Sequence, residues 1–139
     1  MRVNVRALII RDGKVVVSRE RRQGIDHVLL PGGRVRDGES IHDALTREVA
    51  EETGLMVSAD RLLYIAEVVG MYGVHDLILI WSADTDDATA IPEEALVAVD
   101  SDQARSIMPP VMVEIGSDLN NGGAEYPRWL GNVRRPLRP

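Results

Sequence analysis

Residues 33–55 read GRVRDGESIHDALTREVAEETGL, and this stretch decides how the rest of the chain is interpreted. Its centre predicts a helix over 41–53. Ser40 is a suitable N-cap, because its hydroxyl can accept a hydrogen bond from the first turn, and Asp43 places a negative charge near the positive end of the helix dipole. Gly54 predicts the end of the helix, where a left-handed residue is common.

The acidic residues of this helix fall on or beside its apolar side. Successive helical residues turn by about 100°, so with Ile41 at zero the apolar Leu45 lies near 40° and Ala44 near 300°. Viewed down the helix axis in the same way, Glu48 lies at roughly 340°, Glu51 at roughly 280° and Glu52 at roughly 20°. The side of the helix that should be buried therefore carries a cluster of negative charge.

Such a cluster needs a positive partner. Glu48 and Glu52 repel each other at a spacing of four residues, and partial burial adds a desolvation cost. Arg47 lies about 100° away around the helix and supports only the edge of the cluster. A hard divalent cation, Mg²⁺ or Mn²⁺, suits ligands that are all oxygen. The alternative is an exposed acidic helix face that binds no metal.

The spacing of residues around the helix resembles the Nudix box, G-x5-E-x7-R-E-U-x-E-E-x-G-U, where U is a bulky aliphatic residue. Every specified position is filled: Gly33, Glu39, Arg47, Glu48, Val49, Glu51, Glu52, Gly54 and Leu55. The resemblance implies an α/β fold, an α/β/α sandwich with a mixed, curved β-sheet in which the box forms a loop–helix–loop. It also implies a metal-dependent hydrolase acting on a phosphoanhydride bond.

The resemblance assigns roles to residues of the box. Metal ligands are Glu48 and Glu52, with Glu51 assisting directly or through water, and the backbone carbonyl of Gly32 is a further candidate ligand. A second pair, Arg47 and Glu39, orients the ligands without binding the metal itself. The general base is Glu48 or an acid outside the box, and the acidic segment 84–94 offers Glu93, Glu94 and Asp86.

Candidate substrate-binding residues lie outside the box. The cationic run at residues 19–22 supplies three arginines that suit phosphate or a terminal ribose, unless they only form a solvated strand face: Arg19, Arg21 and Arg22. Tyr72 and His75 are candidates near the edge of the cleft, although an ordinary turn tyrosine and strand-end histidine fit the sequence equally.

The remaining chain predicts one domain over residues 1–139. Strands are expected at 3–10, 15–17, 28–30, 62–69, 77–81 and 95–99, with a hairpin turn at Asp12-Gly13. A short helix is expected after Ser101 and a second at 111–119. Residues 120–139, rich in Gly, Pro and Arg, are expected to be an irregular tail.

The composition of the chain limits the kinds of partner and chemistry that we expect. The net charge of −6 and an aromatic content of 4% argue against binding to a nucleic-acid polymer, and the lack of cysteine excludes thiolate chemistry. The N-terminus lacks a signal-peptide pattern and no apolar run reaches 18 residues, so we expect a cytoplasmic protein with no membrane partner. Homodimerisation is a possibility on which the sequence is silent.

Two function classes follow. The first is an active hydrolase of a nucleoside diphosphate linked to another moiety, such as ADP-ribose or another sugar nucleotide, a dinucleoside polyphosphate, or a nucleoside triphosphate. The second is a catalytically inactive nucleotide-binding or regulatory module on the same fold. The complete set of carboxylates favours the enzyme, because an inactive module does not need to keep them.

Overall fold

The computed structural model describes residues 1–71, 73–86 and 88–133, and within them ten strands and two α-helices are formed. The strands are β1 Arg2–Leu8, β2 Ile10–Arg11, β3 Lys14–Val16, β4 Ser18–Arg22, β5 Ile25–Leu29, β6 Gly32–Arg34, β7 Ser58–Met71, β8 Val74–Asp84, β9 Leu96–Ala98 and β10 Arg128–Asn132. The helices are α1 Ile41–Thr53 and α2 Met112–Asn120, and 3₁₀ turns cover Glu93–Ala95 and Asp102–Ser106.

The main sheet is mixed and has five strands in the order β10-β7-β8-β1-β6. Strand β1 runs parallel to β8 and antiparallel to β6, and β10 runs parallel to β7. Strands β7 and β8 form a long antiparallel pair whose register shifts at three points. Such bulges bend and twist a strand, which accounts for the predicted curvature.

The two faces of the sheet are covered by different helices. On one face, α1 buries Ala44, Leu45 and Val49 in a cluster with Val5 and Ala7 of β1. On the other face, α2 and the second 3₁₀ turn pack against alternate residues of β7 and β8. Each fully buried Leu or Val contributes roughly 1.5–3 kcal/mol through removal from water. The predicted α/β/α sandwich is confirmed.

Local signals set the ends of α1 where the sequence predicted them. The Ser40 hydroxyl accepts from the N–H of Asp43 at 3.1 Å, and Gly54 is left-handed with φ 75°. The β2–β3 hairpin also has the predicted turn, because Asp12 and Gly13 adopt φ values of 52° and 74°. The predicted strand pairing of 62–69 with 77–81 is confirmed within longer strands.

The prediction of an irregular tail over 120–139 is wrong for part of that segment. Strand β10, Arg128–Asn132, completes one edge of the main sheet beside β7. A parallel partner more than 60 residues away leaves no local signal, and the nearby glycines and prolines pointed to a loop. Residues 134–139 lie outside the described part of the chain.

None of the described helices is both long enough and apolar enough to cross a lipid bilayer.

Candidate active site

Two consecutive glycines let β6 approach both β1 and α1 closely. Gly32 has φ 147°, in the region that glycine favours, and a side chain there would collide with the backbone oxygen of Val5. At Gly33, a Cβ would lie 2.5 Å from Cδ of Glu48. The carboxylate of Glu48 therefore occupies the space that any side chain at position 33 would need.

Arg47 holds Glu48 from the other side. Its Nε and Nη2 donate to both carboxylate oxygens of Glu39, at 2.7 and 2.9 Å, and its Nη1 donates to Oε1 of Glu48 at 2.8 Å. We call these three residues the Arg47 network. The hydrogen bonds from Arg47 lower the pKa of Glu39 to about 2, and those carboxylates raise the pKa of Arg47.

One oxygen of Glu48 is left over. Within residues 1–71, 73–86 and 88–133, the hydrogen bond that Glu48 makes through its carboxylate is the one from Arg47 to Oε1. Its side chain is only 18% exposed, so Oε2 is an acceptor in a half-buried position. Oriented in this way, Oε2 can bind a cation or accept a proton.

Glu52 reaches the same place from one turn further along α1. Its Oε2 accepts from the N–H of Gly32 at 3.0 Å. Although the residue as a whole is exposed, desolvation of its carboxylate raises the pKa of Glu52, and the bond from Gly32 and the charge of Arg6 oppose that rise. The bend at Gly32-Gly33 thus touches both carboxylates.

Glu51 lies apart from this pair. Its side chain is 55% exposed, and its nearest cation is Arg47 at 3.5 Å. The wheel placed three carboxylates beside the buried side of the helix, but Glu51 is the one furthest from the middle of the arc that Ala44, Leu45 and Val49 bury. The cluster is therefore a pair with a third carboxylate at its edge.

A polar cavity of about 520 Å³ opens beside Glu48 and Glu52. Three glutamates line it, including Glu20, and so do five arginines: Arg2, Arg6, Arg19, Arg22 and Arg34. The lining is thus net positive in a chain whose net charge is −6. A concave site with this sign of charge concentrates small anions.

The donor set of this cavity fits a hard divalent cation. Among the described residues, no group of three or more His, Cys, Asp or Glu side chains is arranged to hold a metal ion alone. Magnesium is commonly bound through one or two carboxylates, with water and substrate phosphate oxygens completing its shell. Glu48 and Glu52 offer such a pair.

Only two of the three arginines predicted to bind phosphate line the polar cavity. Arg19 and Arg22 line the polar cavity, while Arg21 does not and pairs with the exposed Asp26 at 3.3 Å. His75 also lies outside that lining, and its Nε2 is 2.8 Å from Oε2 of Glu67. Tyr72 falls outside the described residues.

The three acids proposed as alternative bases also lie in different places. Glu94 lines a smaller cavity together with Glu52, next to the main one. The side chain of Glu93 is 91% exposed and faces Lys14 at 3.7 Å. Asp86 accepts from the N–H of Ala88 at 2.9 Å, within its own loop. Glu94 is thus the acid of this segment that the fold brings near α1.

Sequence reasoning missed Arg6. Its Nη1 donates to the carbonyls of Leu30 and Gly32, at 3.0 and 3.1 Å, so the Gly32 oxygen proposed as a metal ligand already has one partner. A signal was present, because strand residues two apart share a face. Arg2, Asn4 and Arg6 of β1 all line the polar cavity, while Val5 and Ala7 face the core.

Together, the fold and the site define a small α/β domain in which a glycine bend and an acidic helix share one cation-lined cavity. The chain belongs to the NUDIX domain family, whose sequence model matches residues 1–115. The resemblance predicted from residues 33–55 is confirmed. Nudix hydrolases generally need divalent metal ions.

Individual proteins that resemble this chain carry the same family name. Nudix hydrolase 2 of Arabidopsis thaliana is 37% identical over 84 residues, which cover 57% of this chain and 30% of that protein. The chain thus matches less than a third of the length of this curated relative. A NUDIX hydrolase structure from Nitrosomonas europaea has a TM-score of 0.70 at 24% identity, covering 87% of this chain and 89% of that one. A MutT NUDIX hydrolase structure from Burkholderia pseudomallei has a TM-score of 0.57 at 27% identity, covering 72% of this chain and 84% of that one.

Proposed function

We propose that the protein hydrolyses a phosphoanhydride bond in a small nucleotide, a nucleoside diphosphate linked to another moiety, with Mg²⁺ or Mn²⁺ as cofactor. The observation that carries this proposal is the meeting of Glu48 and Glu52 at one cavity lined by five arginines. Cationic side chains suit the phosphates, and the two carboxylates suit the cation that such phosphates bring with them.

Glu48 and Glu52 are the proposed protein ligands, and Glu51 contributes through water from the edge. The Gly32 carbonyl has a second lone pair beside the one that Arg6 uses, so it remains a candidate ligand. When bound, the cation offsets charge on the phosphate oxygens and lowers the pKa of a water molecule. Arg47 and Glu39 keep Glu48 in position throughout.

The reaction that these residues support is attack of water on phosphorus. The water oxygen forms a bond to phosphorus, the P–O bond of the anhydride breaks, and a nucleotide or phosphate leaves with the bonding pair. A carboxylate accepts the proton of the attacking water. No residue of the chain needs to form a covalent bond with the substrate.

The choice of base follows from Oε2 of Glu48. Because Arg47 holds Oε1, the cation and the proton must share Oε2, which has two lone pairs. We assign the proton to Glu48, with Glu94 as the alternative if Glu48 is fully occupied by the cation. Glu94→Gln separates the two: unchanged turnover supports Glu48, and a loss of about 100-fold or more transfers the role to Glu94.

The decisive experiment is a panel of nucleotides assayed by product identity with Mg²⁺, Mn²⁺ or EDTA. The panel contains ADP-ribose, other sugar nucleotides, dinucleoside polyphosphates and nucleoside triphosphates. We expect turnover of at least one class, none in EDTA, and losses of about 100-fold or more for Glu48→Gln and Glu52→Gln. The products show which anhydride bond is cut.

Glu125→Gln is the matched control, because Glu125 is an exposed glutamate outside the box. It should keep wild-type turnover. Near-wild-type activity of Glu48→Gln or Glu52→Gln would refute the ligand assignment. Nucleotide binding without any turnover across the panel would instead support a regulatory module.

A further inference from the structure

A second cavity adjoins the polar one. It has a volume of about 340 Å³, and we call it the aliphatic cavity because most of the surface inside it is apolar, with Leu29, Val68, Val74, Ile78 and Met108 among its side chains. Both volumes are in the range of ligand sites, roughly 300–1,000 Å³. The two cavities thus offer adjoining space for a charged and an uncharged part of one ligand.

The two cavities share four residues, which we call the junction: Asn4, Arg6, Glu20 and Arg22. A ligand that enters both must pass these side chains. Two of them are cations and Glu20, which pairs with Arg22, is an anion, so the unpaired charge of the junction is that of Arg6 and favours a negatively charged group there.

Arg6 is fixed in place at the junction. Its Nη1 donates to two backbone carbonyls, of Leu30 at 3.0 Å and of Gly32 at 3.1 Å. Burial lowers the pKa of Arg6, and the charges of Glu52 and Glu48 oppose that change, as expected for a guanidinium held under a pair of carboxylates. An arginine anchored in this way loses little further side-chain entropy when it binds a ligand.

The open edge of Arg6, formed by Nε and Nη2, distinguishes it from three of the other four arginines that line the polar cavity. Arg2 uses Nε and Nη2 on Asp76, and Arg19 uses the same two atoms on the backbone oxygen of Glu94. Arg22 uses Nε on Glu20. The hydrogen bonds of Arg6 to described residues come from Nη1 alone, which leaves its Nε and Nη2 for a ligand.

We propose that Arg6 binds the phosphate that adjoins the uncharged half of the substrate, donating from Nε and Nη2 to two of its oxygens. The diphosphate then extends from Glu48 and Glu52 to the junction, and the nucleoside lies in the aliphatic cavity. Paired donors of this kind match the oxygens of a phosphate. This assignment rests on the proposed function, because it takes the ligand to be a nucleotide.

The test measures binding of nucleoside monophosphates, which have no anhydride bond to cut. AMP, GMP, CMP and UMP are titrated into the metal-free protein in EDTA by calorimetry. We expect at least one to bind the wild type, and Arg6→Gln to weaken that binding roughly 10- to 100-fold, as for loss of hydrogen bonds to a charged group. Arg6→Lys keeps the charge but not the paired donors, and should fall in between.

Arg61→Gln is the control, because it removes an exposed arginine of β7 from outside both cavities. It should bind like the wild type. If Arg6→Gln fails to fold, as judged by thermal melting, Arg6→Lys decides the question alone. Wild-type affinity in a folded Arg6 variant, an equal loss in Arg61→Gln, or no binding by the wild type overturns the assignment.

These outcomes are separate from those of the proposed hydrolysis. Turnover with unchanged monophosphate binding in the Arg6 variants would refute the role of Arg6 and leave the hydrolase standing. Monophosphate binding that depends on Arg6, without turnover of any nucleotide, would support the role of Arg6 and refute the proposed hydrolysis.

Discussion

Two partly buried charge networks lie in different parts of the molecule and differ in how completely they are satisfied. In the Arg47 network, the described residues use one oxygen of Glu48 and leave the other beside a cavity. In the second, which we call the Asp118 network, Arg128 donates to both oxygens of Asp118 at 2.6 and 2.7 Å. The Tyr64 hydroxyl adds a third bond to Asp118 at 2.8 Å.

The difference separates a structural carboxylate from one that is available for chemistry. Asp118 ties α2 to β7 and β10. Burial, the contact with the Tyr126 hydroxyl and the hydrogen bond to Asp118 raise the pKa of Tyr64. Its capacity as an acceptor is largely used within the fold. Glu48 has the same kind of arginine partner, but the described residues donate no hydrogen bond to its second oxygen, and Glu48 lines the polar cavity. Between these two carboxylates, the unused oxygen and the place at the polar cavity distinguish Glu48 from Asp118.

The largest effect should come from placing an extra methyl group against Glu48 of the Arg47 network. Gly33→Ala places a methyl group in the volume of the Glu48 carboxylate, so Glu48 has to move. We expect kcat/KM to fall on the order of 100-fold, the scale of a displacement of about 1 Å at a catalytic group. Steady-state kinetics on the best substrate of the panel measure it.

Gly116→Ala is the paired control near the Asp118 network. A Cβ there meets Val99 at 3.8 Å, an ordinary contact, and alanine suits a helix better than glycine. Activity should stay at the wild-type level. Equal activity in the two alanine variants would break the link between the glycine bend and function.

A smaller effect, on stability alone, should follow from Asp118→Asn. The amide keeps the shape but loses the charge that faces Arg128, and it presents N–H donors where two acceptors are needed. We expect a loss of about 2 kcal/mol in the free energy of unfolding, within the range for hydrogen bonds to charged groups. Urea unfolding measures it, and kcat/KM should be unchanged.

Asp60→Asn provides the comparison, since Asp60 is an exposed residue of β7. Its unfolding midpoint should match that of the wild type. A stable Asp118→Asn protein with reduced turnover would reverse the roles that we assign to the two networks.

The smallest effect concerns pH and the Arg47–Glu39 pair. Since folding lowers the pKa of Glu39 from 4.5 to about 2, its contribution to stability is present above pH 4.5 and is lost as pH falls toward 2. In Glu39→Gln this part of the acid dependence should be missing. Urea midpoints of the two proteins between pH 6 and 2 should therefore approach each other as pH falls.

A constant difference between those two midpoints over the whole pH range would show that Glu39 is not held as an ion by Arg47. The comparison requires metal-free buffers, so that changes in cation binding do not add to the slope.

Sequence alone predicted the parts of the site that depend on neighbours along the chain. The cap at Ser40, the end at Gly54 and the positions of Glu48 and Glu52 follow from spacing within a single helix. The identity of the family followed from the same spacing, because nine fixed positions in 23 residues are rarely filled together by chance.

Features that depend on distant partners were beyond reach. Strand β10 was missed because its partner β7 lies far away in sequence. Arg6 was missed although the alternation of Arg2, Asn4 and Arg6 was visible. Strand alternation shows that three side chains share a face, but not that a glycine bend supplies carbonyls for one of them.

The position of β1 also has a consequence for biosynthesis. Among the five strands of the main sheet β1 is synthesised first, yet it lies inside the sheet, between β6 and β8. The contact of Arg2 with Asp76 spans 74 residues, so a growing chain holds β1 without its parallel neighbour until β8 has emerged from the ribosome. Until then, the strand that carries Arg6 has an unpaired edge, and an unpaired strand edge exposes a nascent chain to aggregation or chaperone capture.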